Sequence, residues 1–461
     1  MLVSCYELGH QPLSLASPLA ALAEAGIPAR ALDTAVEPFD CAAARDARLV
    51  AISAPMHTAL RLGQQVARGV RSQNPEAHIT FYGLYAWLNA EHLFQAGLAD
   101  SVIGGEFEPP LVALATNIPL PPQWETRGQG PPALPGVRFP DQPAPPYLEH
   151  HPWPVPQRHT LSQIRHYAHL LRDGQAVPAG YVEATRGCKH TCAHCPITPV
   201  YQGRFLAVPR ETVLADIEAQ VAMGARHITF GDPDFLNGPT HSLKLVRAMH
   251  ASFPDVTFDA TIKIEHILRH AELFPELREL GCAFVLSAVE SLSEEVLRRL
   301  RKGHTAHDVN RALDVMERAG IPLRPSLVAF TPWTTLGDYV AMLEFVRSHG
   351  LVDSIDPVQY AIRLLIPPAS ALLEDAGTWL GELDASALSY RWTHPDRRLD
   401  ELHAQVSAIV ECGELEGRDV WETFAAIRSA AQRLAGIAQP PDITPPAERR
   451  RPPRLTESWF C

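Results

Sequence analysis

Residues 185–196 read Thr-Arg-Gly-Cys-Lys-His-Thr-Cys-Ala-His-Cys-Pro, which sets Cys188, Cys192 and Cys195 at intervals of four and three. Three thiols so spaced fit an iron–sulfur site. Four thiolates would complete a 4Fe–4S cluster or a structural zinc, whereas three leave one metal corner open to another ligand. An apolar, strand-like run at 181–185 leads straight into the motif. A disulfide framework is not expected, because the eight cysteines come without a secretory signal. Zinc is the rival reading, since His190 and His194 lie inside the motif and offer a fourth ligand. The paired Cys-x2-Cys or His-x3-5-His partner that usually completes such a site is absent.

Beyond the motif, strand and helix patterns alternate. Strand candidates fall at 181–185, 227–230, 257–260, 283–289, 323–329 and 357–364, and helix-like segments separate them. In 211–224, for example, Val213, Leu214, Ile217 and Val221 share one helical face. Such alternation predicts a parallel sheet.

The Cys-x3-Cys-x2-Cys run after an apolar strand resembles the signature of radical S-adenosylmethionine (SAM) enzymes, and six βα units fit that family's partial (β/α)6 barrel. The resemblance implies that Cys188, Cys192 and Cys195 hold a 4Fe–4S cluster whose free iron chelates the amino and carboxylate groups of SAM. An electron, from a donor such as flavodoxin or ferredoxin, then cleaves SAM to methionine and a 5′-deoxyadenosyl radical. The cofactors carry the hard chemistry while the protein positions and shields them. The carboxyl ends of barrel strands are where substrate is met. In Gly231-Asp232-Pro233-Asp234, after the second strand, the resemblance implies that Asp232 or Asp234 helps hold the SAM amino group. Ser287 and Glu290, ending the fourth strand, are implied contacts of its ribose or carboxylate. Asp259 and Lys263 are expected to point toward one face after the third strand. Arg363, at the sixth, presents a fork that matches a carboxylate.

Residues 1–115 carry strand patterns at 2–5, 29–32, 49–53, 79–82 and 101–103, with helices around 18–25 and 59–71, which predicts a doubly wound parallel sheet. With Gly83 after a strand and Gly104-Gly105-Glu106-Phe107-Glu108 closing the unit, this region resembles the cobalamin-binding domain that precedes many radical SAM cores. The resemblance implies cobalamin as a candidate ligand at the carboxyl edge of the sheet, where open α/β folds bind. The Asp-x-His-x2-Gly motif that supplies an axial histidine in many such domains is absent. His10 and His57 follow predicted strands and could face a ligand or merely begin a turn or helix.

Residues 116–175 are expected to form a proline-rich linker, of which 119–156 cannot sustain helices or central strands. His150, His151 and Trp153 lie in it, placed either to reach over the site or to pack on the surface. The barrel is expected over 176–370, followed by a helical region over 371–461. Leu402, Val406, Ile409, Trp421, Phe424, Ile427 and Leu434 are available there for one or two packed helices. The segment 440–461 is rich in proline and arginine and should be ordered only where it docks. Its final Trp-Phe-Cys resembles the start of the tail of a radical SAM family that ends in Cys-Sec-Ala-Glu-Pro or Cys-Cys-Ala-Glu-Pro. That resemblance implies a UGA codon, read as selenocysteine, after Cys461. The vicinal pair would serve as a redox couple or metal ligand.

A net charge of −12 without a long Lys/Arg block argues against a large nucleic-acid surface, and no uncharged apolar run is long enough to span a bilayer. A soluble cytoplasmic protein is expected. Cys282 and Cys412 read as packing residues. The expected function is radical chemistry on an unknown small molecule or peptide. With cobalamin bound, methylation of an unactivated carbon is favoured. Without it, hydrogen abstraction leads to rearrangement, oxidation or sulfur insertion. The alternatives are an RNA methylthiotransferase, whose N-terminal domain carries three cysteines where this chain has only Cys5 and Cys41, and a zinc-stabilised binding protein.

Overall fold

The computed structural model describes residues 1–118, 133–374, 376–438, 443–446, 449 and 451–456. Among these, β1 (Leu2–Ser4), β2 (Ala31–Asp33), β3 (Leu49–Ser53), β4 (His78–Tyr82) and β5 (Ser101–Ile103) form a parallel sheet in the order β2-β1-β3-β4-β5, closed by an antiparallel β6 (Val137–Arg138). Strands β3 and β4 are buried along almost their whole length, as parallel strands covered by helices on both faces must be.

The first helix begins earlier than Pro18 suggests. It runs Leu13–Glu24 with Pro18 inside it. Proline has no N–H for the carbonyl four residues back, which here belongs to Ser14. Tyr82 supplies the missing donor, its hydroxyl lying 2.7 Å from Ser14 O. A long-range contact thus permits a helix that local sequence disfavours.

The second sheet is the curled half-barrel. Strands β7 (His169–Arg172) and β8 (Gln175–Val182) form an antiparallel hairpin, and β9 (Thr185–Gly187) pairs antiparallel with β10 (Phe205–Ala207), bracketing the cysteine loop. Strands β11 (His227–Phe230), β12 (Thr257–Thr261), β13 (Cys282–Glu290) and β14 (Leu323–Leu327) continue from β8 in parallel. The sixth position is reduced to one parallel bridge between Phe330 and Arg363, because Pro357–Ala361 winds into a 3-10 turn. Two barrel helices, Ala306–Ala319 and Leu336–Ser348, start at capping boxes, Thr305 with Asp308 and Thr335 with Asp338. The rings of Phe230, Phe235 and Phe258 pack on one another beneath the carboxyl edge.

Two further pieces tie the halves together. The hairpin of β15 (Leu380–Asp384) and β16 (Ser389–Trp392) sends its tip into the N-terminal domain, where Leu388 is buried in the cluster of Val3, Ile52 and Phe81. Helices Arg397–Leu415 and Val420–Leu434 pack on the barrel, and β17 (Arg454–Leu455) docks antiparallel on β7. Residues 457–461, including Cys461, lie outside the described residues. No helix of the described residues is long and apolar enough to cross a membrane.

Candidate functional site

The cysteine loop leaves β9 through Gly187, whose φ is +79° and whose missing Cβ would stand 2.4 Å from the Tyr201 ring. Any larger residue would expel Tyr201 or the loop. The loop then folds on itself. Thr198 Oγ1 donates to Cys192 O at 2.9 Å, and Cys195 N to the same oxygen at 3.2 Å. Cys188 and Cys192 are buried and Cys195 is half-buried. Burial pushes the Cys195 thiol up to about 12 and raises Cys188 as well.

Two lysines surround the sulfurs. Lys263 Nζ lies 3.9 Å from Cys192 Sγ, and Lys302, buried and raised by Glu290 and the thiols despite its burial, donates to Glu290 Oε1 at 3.1 Å. Asn237 closes the other side: its Oδ1 accepts from Lys189 N at 3.3 Å and its Nδ2 donates to Gly187 O at 3.3 Å. Lys302 and Asn237 were not apparent from the sequence, because each enters from a loop distant in the chain and belongs to no motif.

The strand-end residues sort as follows. Asp232 is committed to the chain, accepting from Ala184 N at 2.9 Å and Thr185 Oγ1 at 2.6 Å, and burial pushes it up to about 7. Asp234 sits between His266 Nδ1 at 2.6 Å and His190 Nε2 at 3.5 Å; burial would raise it, yet the two histidines hold it down to about 2. Ser287 keeps a buried hydroxyl without a partner among the described residues. Glu290 ends β13 at a register shift with φ of +64°, a conformation costing a non-glycine residue about 1–3 kcal/mol. Although burial would raise its carboxyl, Lys302 and then His194, 3.3 Å away, hold it well below the usual range.

Some expectations do not survive the geometry. Asp259 and Lys263 do not converge: Asp259 accepts from Thr229 Oγ1 at 2.7 Å and faces His227 at 2.8 Å, while Lys263 serves the cysteines. The Arg363 fork is already filled by Asp400 Oδ1 at 2.8 Å and Trp392 O at 2.7 Å, with its guanidinium stacked 3.6 Å over the Trp392 ring. Neither motif histidine completes a zinc set with the cysteines, since His190 and His194 are turned to acids.

The N-terminal edge is built into the same region. Arg186 reaches back from β9 to Glu106 and Glu108, with Phe107 and the linker's Trp153 each 4.7 Å from its guanidinium. Tyr201, from the cysteine loop, donates to Glu106 at 2.8 Å. His151 stands 3.7 Å from Glu108, so the linker packs between the domains. At this edge His57 Nε2 contacts Ala387 O at 2.6 Å, while His10 is buried against the Tyr181 ring with its Nδ1 lacking a hydrogen-bond partner among the described residues. The glycine turn is filled as well, a Cβ on Gly104 meeting the Trp87 ring at 2.3 Å and one on Gly105 meeting Tyr147 O at 2.2 Å. The edge thus keeps one buried imidazole nitrogen, His10 Nδ1, open beside the packed glycine turn, and the thiols of the loop fit a cluster.

Residues 182–346 match the radical SAM superfamily model. Among curated proteins, the ribosomal protein uS12 methylthiotransferase RimO of Porphyromonas gingivalis is 25% identical over 199 residues, 41% of this chain and 43% of that protein. The chain thus spans less than half of that relative's length. Among solved structures, the cobalamin-dependent SAM radical enzyme OxsB with aqua-cobalamin bound superposes with a TM-score of 0.69 at 14% identity, over 90% of this chain and 66% of that one. The radical SAM methyltransferase TsrM of Kitasatospora setae, with cobalamin and a 4Fe–4S cluster bound, superposes with a TM-score of 0.60 at 16% identity, covering 76% of this chain and 70% of that one. This chain therefore carries a radical SAM domain within a fold shared with cobalamin-dependent radical SAM enzymes.

Proposed function

We propose that this chain is a radical SAM enzyme in which Cys188, Cys192 and Cys195 hold a 4Fe–4S cluster and SAM binds at its open corner. The observation that carries the reading is the placement, within the matched domain, of three thiols on one loop beside two buried lysines, Lys263 and Lys302. Thiolates drawn out of water need such compensation. When bound, the cluster supplies the electron that splits SAM into methionine and a 5′-deoxyadenosyl radical. The chain does the rest. Carbonyls of the turn at 231–234 would receive the SAM amino group, and the unpartnered Ser287 hydroxyl and the buried Glu290 carboxylate would serve its ribose or carboxylate. A flavodoxin- or ferredoxin-type donor supplies the electron, and the substrate is a small molecule or peptide.

Cobalamin-dependent methylation is a second reading, favoured by the fold shared with OxsB and TsrM over most of the chain. A methylthiotransferase reading has the RimO similarity in its favour. Against it, the N-terminal domain offers only Cys5, buried and pushed up to about 11, and Cys41 toward a second cluster.

Anaerobic reconstitution with iron, sulfide and hydroxocobalamin, then metal analysis after desalting, tests these readings. About four irons and four sulfides per chain, lost in Cys192→Ala, support the cluster. One zinc and no sulfide overturn it. Cobalt retained near one per chain selects methylation, and cobalt that washes away selects hydrogen abstraction.

A further inference from the structure

His190 lies between two of the cluster cysteines, Asp234 follows β11, and His266 sits on the short helix Ile264–Arg269 after β12. Three segments remote in sequence thus deliver two imidazoles and a carboxylate to one point. One donor atom from each lies within 4.8 Å of the others. Asp234 and His266 have fully buried side chains, and that of His190 is 15% exposed.

The donors are poorly satisfied by one another. Asp234 Oδ2, His190 Nε2 and both ring nitrogens of His266 are buried without a well-directed hydrogen bond, although Asp234 Oδ2 and His266 Nδ1 approach to 2.6 Å. Four buried polar atoms left so are costly for a network that served packing alone. A cation at their centre would satisfy three of them at once. Bonds of about 2.0–2.2 Å place ligand atoms roughly 3–3.5 Å apart. His190 Nε2 and Asp234 Oδ2 are already 3.5 Å apart, and the closer pair would open by less than about 1 Å.

The surroundings also suit a metal. The other nitrogen of His190, Nδ1, faces Glu265 Oε2 at 3.8 Å. A carboxylate behind a ligating imidazole fixes its tautomer and raises its basicity. Glu265 is itself held by Arg269 at 2.7 Å.

We infer that His190, Asp234 and His266 form a mononuclear site for a divalent transition ion, separate from the cluster cysteines. Two imidazoles and one carboxylate suit iron(II), zinc or cobalt(II), and leave at least one position open to water or a substrate oxygen. The ion would anchor the cysteine loop from behind, through the residue between Cys188 and Cys192.

The test uses the full chain with Cys188, Cys192 and Cys195 all changed to Ala, titrated with Co2+. One cobalt per chain, with visible d–d bands and no thiolate charge-transfer band, is expected. Asp234→Asn or His266→Gln should abolish it, and Glu265→Gln should weaken it 10–100-fold. No binding by a folded triple variant, or bands indifferent to Asp234→Asn, would overturn the site. Should the triple variant not fold, the cluster-loaded wild type decides: one metal in excess of the sulfide count, lost in Asp234→Asn at constant sulfide, supports the site, and metal equal to sulfide overturns it. Neither readout requires SAM cleavage, so this site and the proposed activity fail separately.

Discussion

Arg186 Nη1 lies 3.0 Å from Glu106 Oε2, joining the strand that launches the cysteine loop to the turn that closes the N-terminal sheet. The same nitrogen is 3.0 Å from Glu108 Oε2, and Arg186 Nε is 2.7 Å from Glu183. One cation thus answers two buried carboxylates and a third at their rim, two residues before Cys188.

Arg186→Met should therefore cost about 3–5 kcal/mol, the usual penalty for stripping the partner from a buried charge. Glu106→Gln should cost far less, because burial already pushes Glu106 up to about 7 against the pull of Arg186, so its neutral form is well populated. Denaturant unfolding of the two apo variants measures the asymmetry. Equal losses would contradict it.

The same burial gives a pH dependence. Glu106 is raised to about 7 and Glu7 to about 8, both by burial, from an unfolded value of 4.5. Groups raised in the folded state contribute stability that is complete below pH 4.5 and lost as pH rises through 7 and 8. His10 and His78, lowered by burial from 6.5 to about 4, add stability as pH rises to 6.5 and offset the loss up to that point, but contribute nothing further above it. Thermal melting of the apo protein should fall between about pH 6.5 and 8 and level off above, each group losing up to about 1.4 kcal/mol per pH unit while it is ionised in the unfolded chain and still protonated in the folded one. A flat or rising midpoint would count against these assignments.

Trp87 occupies the glycine turn, so Gly104→Ala should destabilise by about 1–3 kcal/mol through overpacking. In a Trp87→Ala background the same change should cost markedly less. A double-mutant cycle reads the coupling, and full additivity would mean that the ring does not fill the turn.

Local periodicity made much of this molecule readable. The strands at 49–53, 101–103 and 227–230 stand where their apolar runs placed them, and the three spaced cysteines fall on one loop between β9 and β10. What stayed hidden depends on partners from elsewhere in the chain. The helix Leu13–Glu24 tolerates Pro18 only because Tyr82 donates to Ser14, and Arg363 is drawn from ligand duty by Asp400 on a later helix. Lys302 reaches Glu290 across a bulge that no local pattern reveals, and Arg186 reads as part of the cysteine motif until the Gly-Gly-Glu-Phe-Glu turn folds onto it.

Lys263 Nζ is 3.9 Å from Cys192 Sγ, close enough to favour the more negative, reduced cluster. Lys263→Met should shift the cluster potential downward by on the order of 60 mV, tenfold in a one-electron equilibrium. Redox titration followed by electron paramagnetic resonance checks this, and an unchanged or higher potential would contradict it.

The most direct measurement is production of 5′-deoxyadenosine by the reconstituted, reduced protein given SAM. The account predicts 5′-deoxyadenosine and methionine in equal amounts from the wild type and neither from Cys192→Ala. A protein that carries its full complement of iron and sulfide yet leaves SAM intact under reducing conditions, or one whose Cys192→Ala variant cleaves it equally well, would contradict that cleavage occurs at these three cysteines.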